Sequence, residues 1–191
     1  MLDKNQVKVL WVVVLGTALE WMEFSVFAYL TPVLSQLFFP EDIGWVATLK
    51  VYSVWGVSYF ARPLGALFFG LVGDFYGRKK ALLGSMLLMF LSSFLMGVLP
   101  TYESISWGAP VGLVILRVLQ GVAVSGEFNG AVIFSVESFG QKRPYYIGMW
   151  TPFAASLGML VGSFFCSIIM LEGAPLWAWR LVFLVSALGG L

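Results

Sequence analysis

The sequence predicts an all-α membrane protein, and three observations predict it. Hydrophobic residues make up 60% of the 191-residue chain and charged residues only 11%, against roughly 25% charged in an ordinary soluble domain. Apolar runs of spanning length recur six times along the chain. Lys and Arg between those runs occur only in alternate gaps. A soluble domain of this size cannot hide so much apolar surface, as the mean hydropathy of +0.91 also indicates. Aromatics reach 17%, which suits interfacial belts and tightly packed helices.

Each run is read as a helix because about 20 apolar residues are needed to cross the hydrocarbon core. The first covers 9–34 and follows Lys4 and Lys8. A cleaved leader would start similarly, but no small-x-small site follows and the run continues past Glu23. The second covers 45–72, after the turn signal Phe39-Pro40-Glu41-Asp42, and contains Arg62-Pro63. Proline there frees a backbone group and bends the helix. The third covers 81–99 and follows the stretch GLVGDFYGRKK at 70–80. The fourth, 109–135, follows Pro100 to Gly108; the fifth, 146–171, follows Glu137 to Pro144. The sixth, 176–191, follows Glu172 to Pro175 and offers about 16 residues, or roughly 24 Å of helix against a core of about 30 Å. The expectation is an incomplete last helix in a truncated or partial chain.

Orientation follows from the charges. Lys4 and Lys8 precede the first run, Arg78, Lys79 and Lys80 lie in the second loop, and Lys142 and Arg143 lie in the fourth. The first, third and fifth loops carry no Lys or Arg but hold Glu41, Asp42, Glu103 and Glu172. The positive-inside rule places the N-terminus and the even loops in the cytoplasm of a multi-pass protein. The net charge of +1 gives no reason to expect nucleic acid as a partner. The absence of histidine and the single Cys166, inside an apolar run, remove imidazole chemistry and an intrachain disulfide. They leave few groups for an enzyme, and no metal or other cofactor is expected.

The second loop holds more than a topology signal requires. Asp74 stands at the cytoplasmic edge, flanked by Gly70, Gly73 and Gly77, which allow close backbone approach. Gly70, Asp74, Gly77, Arg78, Lys79 and Leu82 resemble the signature loop between helices 2 and 3 of the major facilitator superfamily. Phe75 departs from it, since the family places Arg there. GTALEWMEF (16–24), ARPLGALFFG (61–70), RVLQGVAVSGEFNGA (117–131) and WRLVF (179–183) are similar to its metabolite:proton symporter branch. That branch usually has Asp where Glu23 stands and Gly-Gly-Glu where Ser125-Gly126-Glu127 stands. The resemblance implies six transmembrane helices built as a 3+3 inverted repeat, forming the first half of a twelve-helix carrier whose second half is absent. It also implies that Asp74, Arg78 and Glu137 belong to a cytoplasmic latch, with Asp74 facing a helix end of the second half. Such a latch would hold an outward-facing state and release as the halves rock.

Glu20, Glu23, Arg62, Arg117 and Glu127 fall inside the predicted spans. Five such charges facing lipid would cost on the order of 15 kcal/mol, so they must face protein, pair, or line a wet cavity. Glu20 lies near the midplane and Glu23 is three residues on, on the same helix face. With histidine absent, these two carboxylates are the natural proton carriers. Arg117 and Glu127 sit about 15 Å apart along one helix and about 80° apart around it. Arg117 suits an anionic solute, and Glu127 suits a cation or a proton. Arg62 is read as structural, as is Lys50, which can snorkel. Gly121, Gly126, Gly130, Gly158 and Gly162 suit close helix crossings.

The expected function is secondary active transport, by proton symport and alternating access, of a small organic acid or zwitterionic osmolyte across a bacterial inner membrane. The alternative is a truncated, non-transporting remnant, or a half-transporter subunit needing a second six-helix half. The partners expected are the lipid bilayer, the solute and proton, and that second half.

Overall fold

The structure, a computed structural model, describes residues 4–139, 149–171, 175 and 177–187; side chains are described for these except at 4–10, 12, 13 and 127–139. Each of the six apolar runs is mostly helical over its described residues. The first run is not one helix. α1 spans Lys4–Tyr29 and α2 spans Thr31–Phe38. Pro32 lacks an N–H, so a continuous helix would leave the Ala28 carbonyl unpaired. The break is confined to Leu30, whose N–H still bonds the Val26 carbonyl at 2.8 Å and whose carbonyl still accepts from Leu34 at 2.9 Å.

α3 (Gly44–Tyr76) carries Pro63 internally and is 33 residues long, about 50 Å at the helical rise. It therefore outruns the hydrocarbon core, and the motif residues Gly73 to Tyr76 are helical beyond the run predicted to end at 72. The expected loop shrinks to one residue, Gly77, at φ +94°. Its N–H closes α3 on the Gly73 carbonyl at 3.0 Å, and α4 (Arg78–Val98) begins at once. Arg78, Lys79 and Lys80 thus occupy the first turn of α4, the end where the helix dipole disfavours cations. Their placement costs helix stability.

After the one-turn helix α5 (Tyr102–Ile105) come α6 (Gly108–Phe139), α7 (Trp150–Ile169) and α8 (Trp179–Ala187). Among the described helices, 44–76, 78–98, 108–126 and 150–169 are long and apolar enough to cross a membrane. The outward surface matches: Phe60 and Phe75 are more than four-fifths exposed, and Ile43 and Trp45 are largely exposed as well. Unpaired apolar surface on this scale belongs against lipid or protein. The chain is an integral membrane protein.

α1 packs along α7, α3 along α6, and α4 on both α6 and α8. Glycines let two of these crossings bring backbones together. A Cβ on Gly121 would lie 2.2 Å from the Ser58 carbonyl oxygen, one on Gly65 would lie 2.3 Å from that of Val122, and one on Gly158 would lie 2.0 Å from that of Ala18. Close approach is the role the sequence suggested for Gly121 and Gly158. α8 docks through Trp179 and Phe183, buried against Phe38 and the rest of the apolar core. Arg180 on α8 donates to the Leu99 carbonyl at 3.0 Å, satisfying one of the orphan groups where α4 ends. Cys166 is buried and free, as a small packing residue.

Candidate functional site

Tertiary packing converges the buried charges on α1. Glu23 is only 1% exposed and faces three other helices at once. Ser93 of α4 and Ser186 of α8 each donate to its Oε2 at 2.6 Å. Gln120 of α6 donates from Nε2 to its Oε1. The same Nε2 also reaches the Ser93 hydroxyl at 3.3 Å. Gln120 Oε1 accepts from Arg117 Nη1 at 2.9 Å. The amide therefore stands between cation and anion, with its dipole aligned to both. An unpaired carboxylate at this depth would be prohibitive, and three helices together supply the hydrogen bonds that offset it.

Arg117 is 2% exposed, and its Cζ lies 3.6 Å from the centroid of Phe27. No ion pair within 4.0 Å joins it to Glu23. Glu20, Glu23, Arg62, Arg117 and Gln120 all line one tight cavity of about 10 Å³, at the lower limit for a single water molecule. The shared face read for Glu20 and Glu23 is thus present. Beside this cavity lies a more open cleft of about 370 Å³, lined by Glu20, Trp21, Tyr59, Arg62 and Ser125 among others. Arg117 does not line the cleft; it is engaged with Gln120 and Phe27.

Arg62 is half-buried, with its Cζ 4.8 Å from the Phe24 centroid and 4.6 Å from that of Tyr59. Those rings belong to an aromatic group with Trp21 and Trp55, at centroid distances of 5.1 to 5.8 Å. The two rings, at 83° to each other, hold the guanidinium by cation–π attraction. Glu127 lies on α6, but its side chain, like that of Glu137, falls outside the described residues. In the motif, Asp74, Arg78 and Lys79 are exposed, and nothing lies within 4 Å of where a Cβ of Gly70 would stand.

At the opposite end, Lys50 forms an ion pair with Asp42 at 2.6 Å and lies 5.5 Å from the Phe39 centroid. It does more than snorkel, tying the turn before α3 to that helix. The Tyr102 phenol lies against the Glu41 carboxylate, whose hydrogen bond pushes the phenol pKa above its ordinary value.

Ser93, Gln120 and Ser186 escaped the sequence reading. Gln120 had a signal, three residues from Arg117 and so on its face of α6. The two serines had none, being 70 and 163 residues away from Glu23 in the chain.

A family model described as Major Facilitator Superfamily matches residues 13–191. The glycine betaine/proline/ectoine/pipecolic acid transporter OusA of Dickeya dadantii (strain 3937) is 36% identical over 176 residues, covering 90% of this chain and 35% of that protein. The shikimate transporter of Escherichia coli (strain K12) is 34% identical over 176 residues, covering 90% of this chain and 40% of that protein. An inward-open structure of the xylose transporter XylE from E. coli superposes with a TM-score of 0.81 at 17% identity, covering 97% of this chain and 45% of that one; at this identity the likeness concerns the fold. The chain spans a little over a third of the length of these curated relatives.

Proposed function

The chain belongs to the major facilitator superfamily, and on that premise we propose that it forms the N-terminal six-helix half of a proton-coupled carrier for a small organic acid or zwitterion. The observation that carries the reading is the Glu23 carboxylate, buried at mid-helix and held by donors from α4, α6 and α8. A fixed negative charge so placed is expensive. A proton arriving on it would remove that charge and occupy an oxygen that now accepts a hydrogen bond. Three of the carboxylate's roughly four acceptor positions are taken, so a proton on the fourth leaves Ser93, Gln120 and Ser186 facing a weaker acceptor and adds an O–H that needs a partner of its own. Because those three sit on different helices, protonation is felt as a repacking of the half, the kind of bistable change that alternating access needs.

In this reading the second six-helix half closes the solute site near mid-membrane. The N-terminus faces the cytoplasm of a bacterial inner membrane, by the Lys and Arg asymmetry. Asp74, Arg78 and Glu137 form the cytoplasmic latch, with Gly70, Gly77 and Lys79 shaping it. Glu127 and Glu20 complete the set of intramembrane carboxylates. OusA, named as a carrier of betaine and proline among others, supports the zwitterion, and the relative named for shikimate supports the acid.

Proteoliposomes test the reading. A carrier of this kind accumulates solute when an inward proton gradient is imposed and not when it is collapsed. Glu23→Gln should lose gradient-driven accumulation about 100-fold or more while keeping solute exchange between the two sides. Accumulation indifferent to the gradient, or a Glu23→Gln variant that still concentrates solute, removes proton coupling. A chain that moves solute only when a second six-helix half is supplied is a half-transporter subunit, and one that never does is a remnant.

A further inference from the structure

We propose that the small cavity beside Glu23 is a site for one buried water molecule, and that this water carries the proton state of Glu23 to Arg62. The site stands on geometry; its part in coupling rests on the carrier reading above and deepens it. Size and charge choose the ligand. The cavity is lined by Glu20, Glu23, Ser58, Arg62, Arg117 and Val124 among others, and its volume of about 10 Å³ is that of a single water. Two carboxyl and two guanidinium groups line it, so their formal charges cancel and no ion is called for.

Hydrogen bonding chooses the partners. Arg117 is 2% exposed and donates from Nη1 to Gln120, while its Nε and Nη2 are buried and meet no acceptor in the protein. Nε of Arg62, on α3, is in the same condition. Buried donors of this kind cost free energy that an acceptor recovers, and water offers a lone pair to each guanidinium. Glu23 takes the other side of the water. Its Oε2 accepts from both Ser93 and Ser186 and its Oε1 from Gln120 alone, so the remaining acceptor position is on Oε1. With Arg117, Arg62 and Glu23, the water has a number of partners within the range of about two to four that buried waters make. Other polar groups nearby are engaged elsewhere: Ser58 donates to the Trp55 carbonyl at 2.6 Å, and the Cys166 thiol of α7 to the Val26 carbonyl at 3.9 Å.

Protonation turns this water round. Against the carboxylate it donates to Oε1. Against the neutral acid it accepts from the new O–H on Oε1, because a water hydrogen pointed there would oppose the first. The lone pair so taken is withdrawn from one guanidinium. Arg117 is held by Gln120 at 2.9 Å and by the Phe27 ring at 3.6 Å, whereas Arg62 is held by ring contacts, so the donor released is Arg62. Arg62 lines the neighbouring cleft of about 370 Å³ as well as the cavity, and there solvent or solute supplies another acceptor. A proton on α1 is thereby felt by a side chain of α3 that borders the wider space. Arg62 is a positioning residue for coupling, where the sequence alone suggested a structural role beside Pro63.

Infrared difference spectra of the full chain in lipid vesicles, taken between high and low pH, test this. The carboxyl C=O band that Glu23→Gln removes marks protonation of Glu23. A water O–H stretching band should change with the same pH midpoint and shift when the vesicles are exchanged into water of heavy oxygen. Val124→Ile, which adds a methyl to the cavity wall without touching a charge, should lose that band. Val124→Ala, which leaves more room, should keep it. Glu23→Gln should lose the pH response of the water. Guanidinium stretching bands should follow the same midpoint, and Arg62→Lys should lose that component. The absence of an isotope-sensitive band, a band that survives Val124→Ile, a band lost equally in Val124→Ala, or one that still responds to pH in Glu23→Gln overturns the water site. A guanidinium change that survives Arg62→Lys and vanishes in Arg117→Lys overturns the route to Arg62. Gradient-driven accumulation without the water band leaves the carrier reading and removes this proposal. The expected bands without such accumulation uphold the water and remove proton coupling.

Discussion

Glu23 and Arg117, opposite charges buried on different helices, are joined through the amide of Gln120 and not by a direct ion pair. This arrangement makes each charge depend on the other at one remove. Deleting one leaves the other buried with an uncompensated field, which is the costly case for buried ions. Arg117→Met alone is expected to destabilise the chain by about 3–5 kcal/mol. Adding Glu23→Gln to it should recover part of that loss, since the neutral amide no longer needs a cation nearby. Denaturant unfolding of the two single variants and the double variant in detergent gives the cycle. Strict additivity would mean that the two charges do not communicate through Gln120.

The backbone crossings predict a split among glycines. Gly158→Ala and Gly121→Ala place a methyl within 2.2 Å of a carbonyl oxygen. Each should cost about 1–3 kcal/mol or more as the helices separate. Gly56, mid-helix with nothing within 4 Å, should gain up to about 1 kcal/mol on becoming Ala. Thermal unfolding of the three variants should show the opposite signs.

Gly77 is the whole link between α3 and α4, and its φ of +94° excludes a side chain without strain. Gly77→Ala is expected to cost about 1–3 kcal/mol. Hydrogen exchange should locate the loss in the last turn of α3 and the first of α4; protection unchanged there would count against a strained link.

The Lys50–Asp42 pair is partly exposed, so it is worth little in water. Asp42→Asn should destabilise by no more than about 1 kcal/mol, and raising the salt concentration should shrink the difference. A salt-independent loss would point to the Phe39 contact of Lys50 instead.

Tyr102 titrates above its ordinary value because the Glu41 carboxylate accepts its hydrogen bond. The raised folded pKa means that this contribution is fully present below the unfolded tyrosine pKa of about 10 and is lost as pH rises through the folded value. Glu41→Gln should bring the phenol back toward its ordinary value in an ultraviolet absorbance titration, with neutral-pH folding little changed. An identical titration curve would show that Glu41 does not govern Tyr102.

The sequence by itself determined the helical membrane class, the six apolar runs and the need to shelter Glu20, Glu23, Arg62 and Arg117. Those follow from transfer free energy, which adds up locally along a window of chain and needs no knowledge of neighbours. It also placed Gly121 and Gly158 at close crossings, because small residues at helical spacing leave few other uses. Finer local facts were harder to read. The break at Leu30 turns on one missing N–H at Pro32, and hydropathy does not register a single donor. Only the tertiary structure decided which groups answer which charge. Ser93 and Ser186 reach Glu23, and Phe24 and Tyr59 hold Arg62, because of the rotation of each helix about its axis and the depth at which it is set. Those two quantities are fixed by contacts between distant segments, and a serine in an apolar run carries no mark of the carboxylate it will meet.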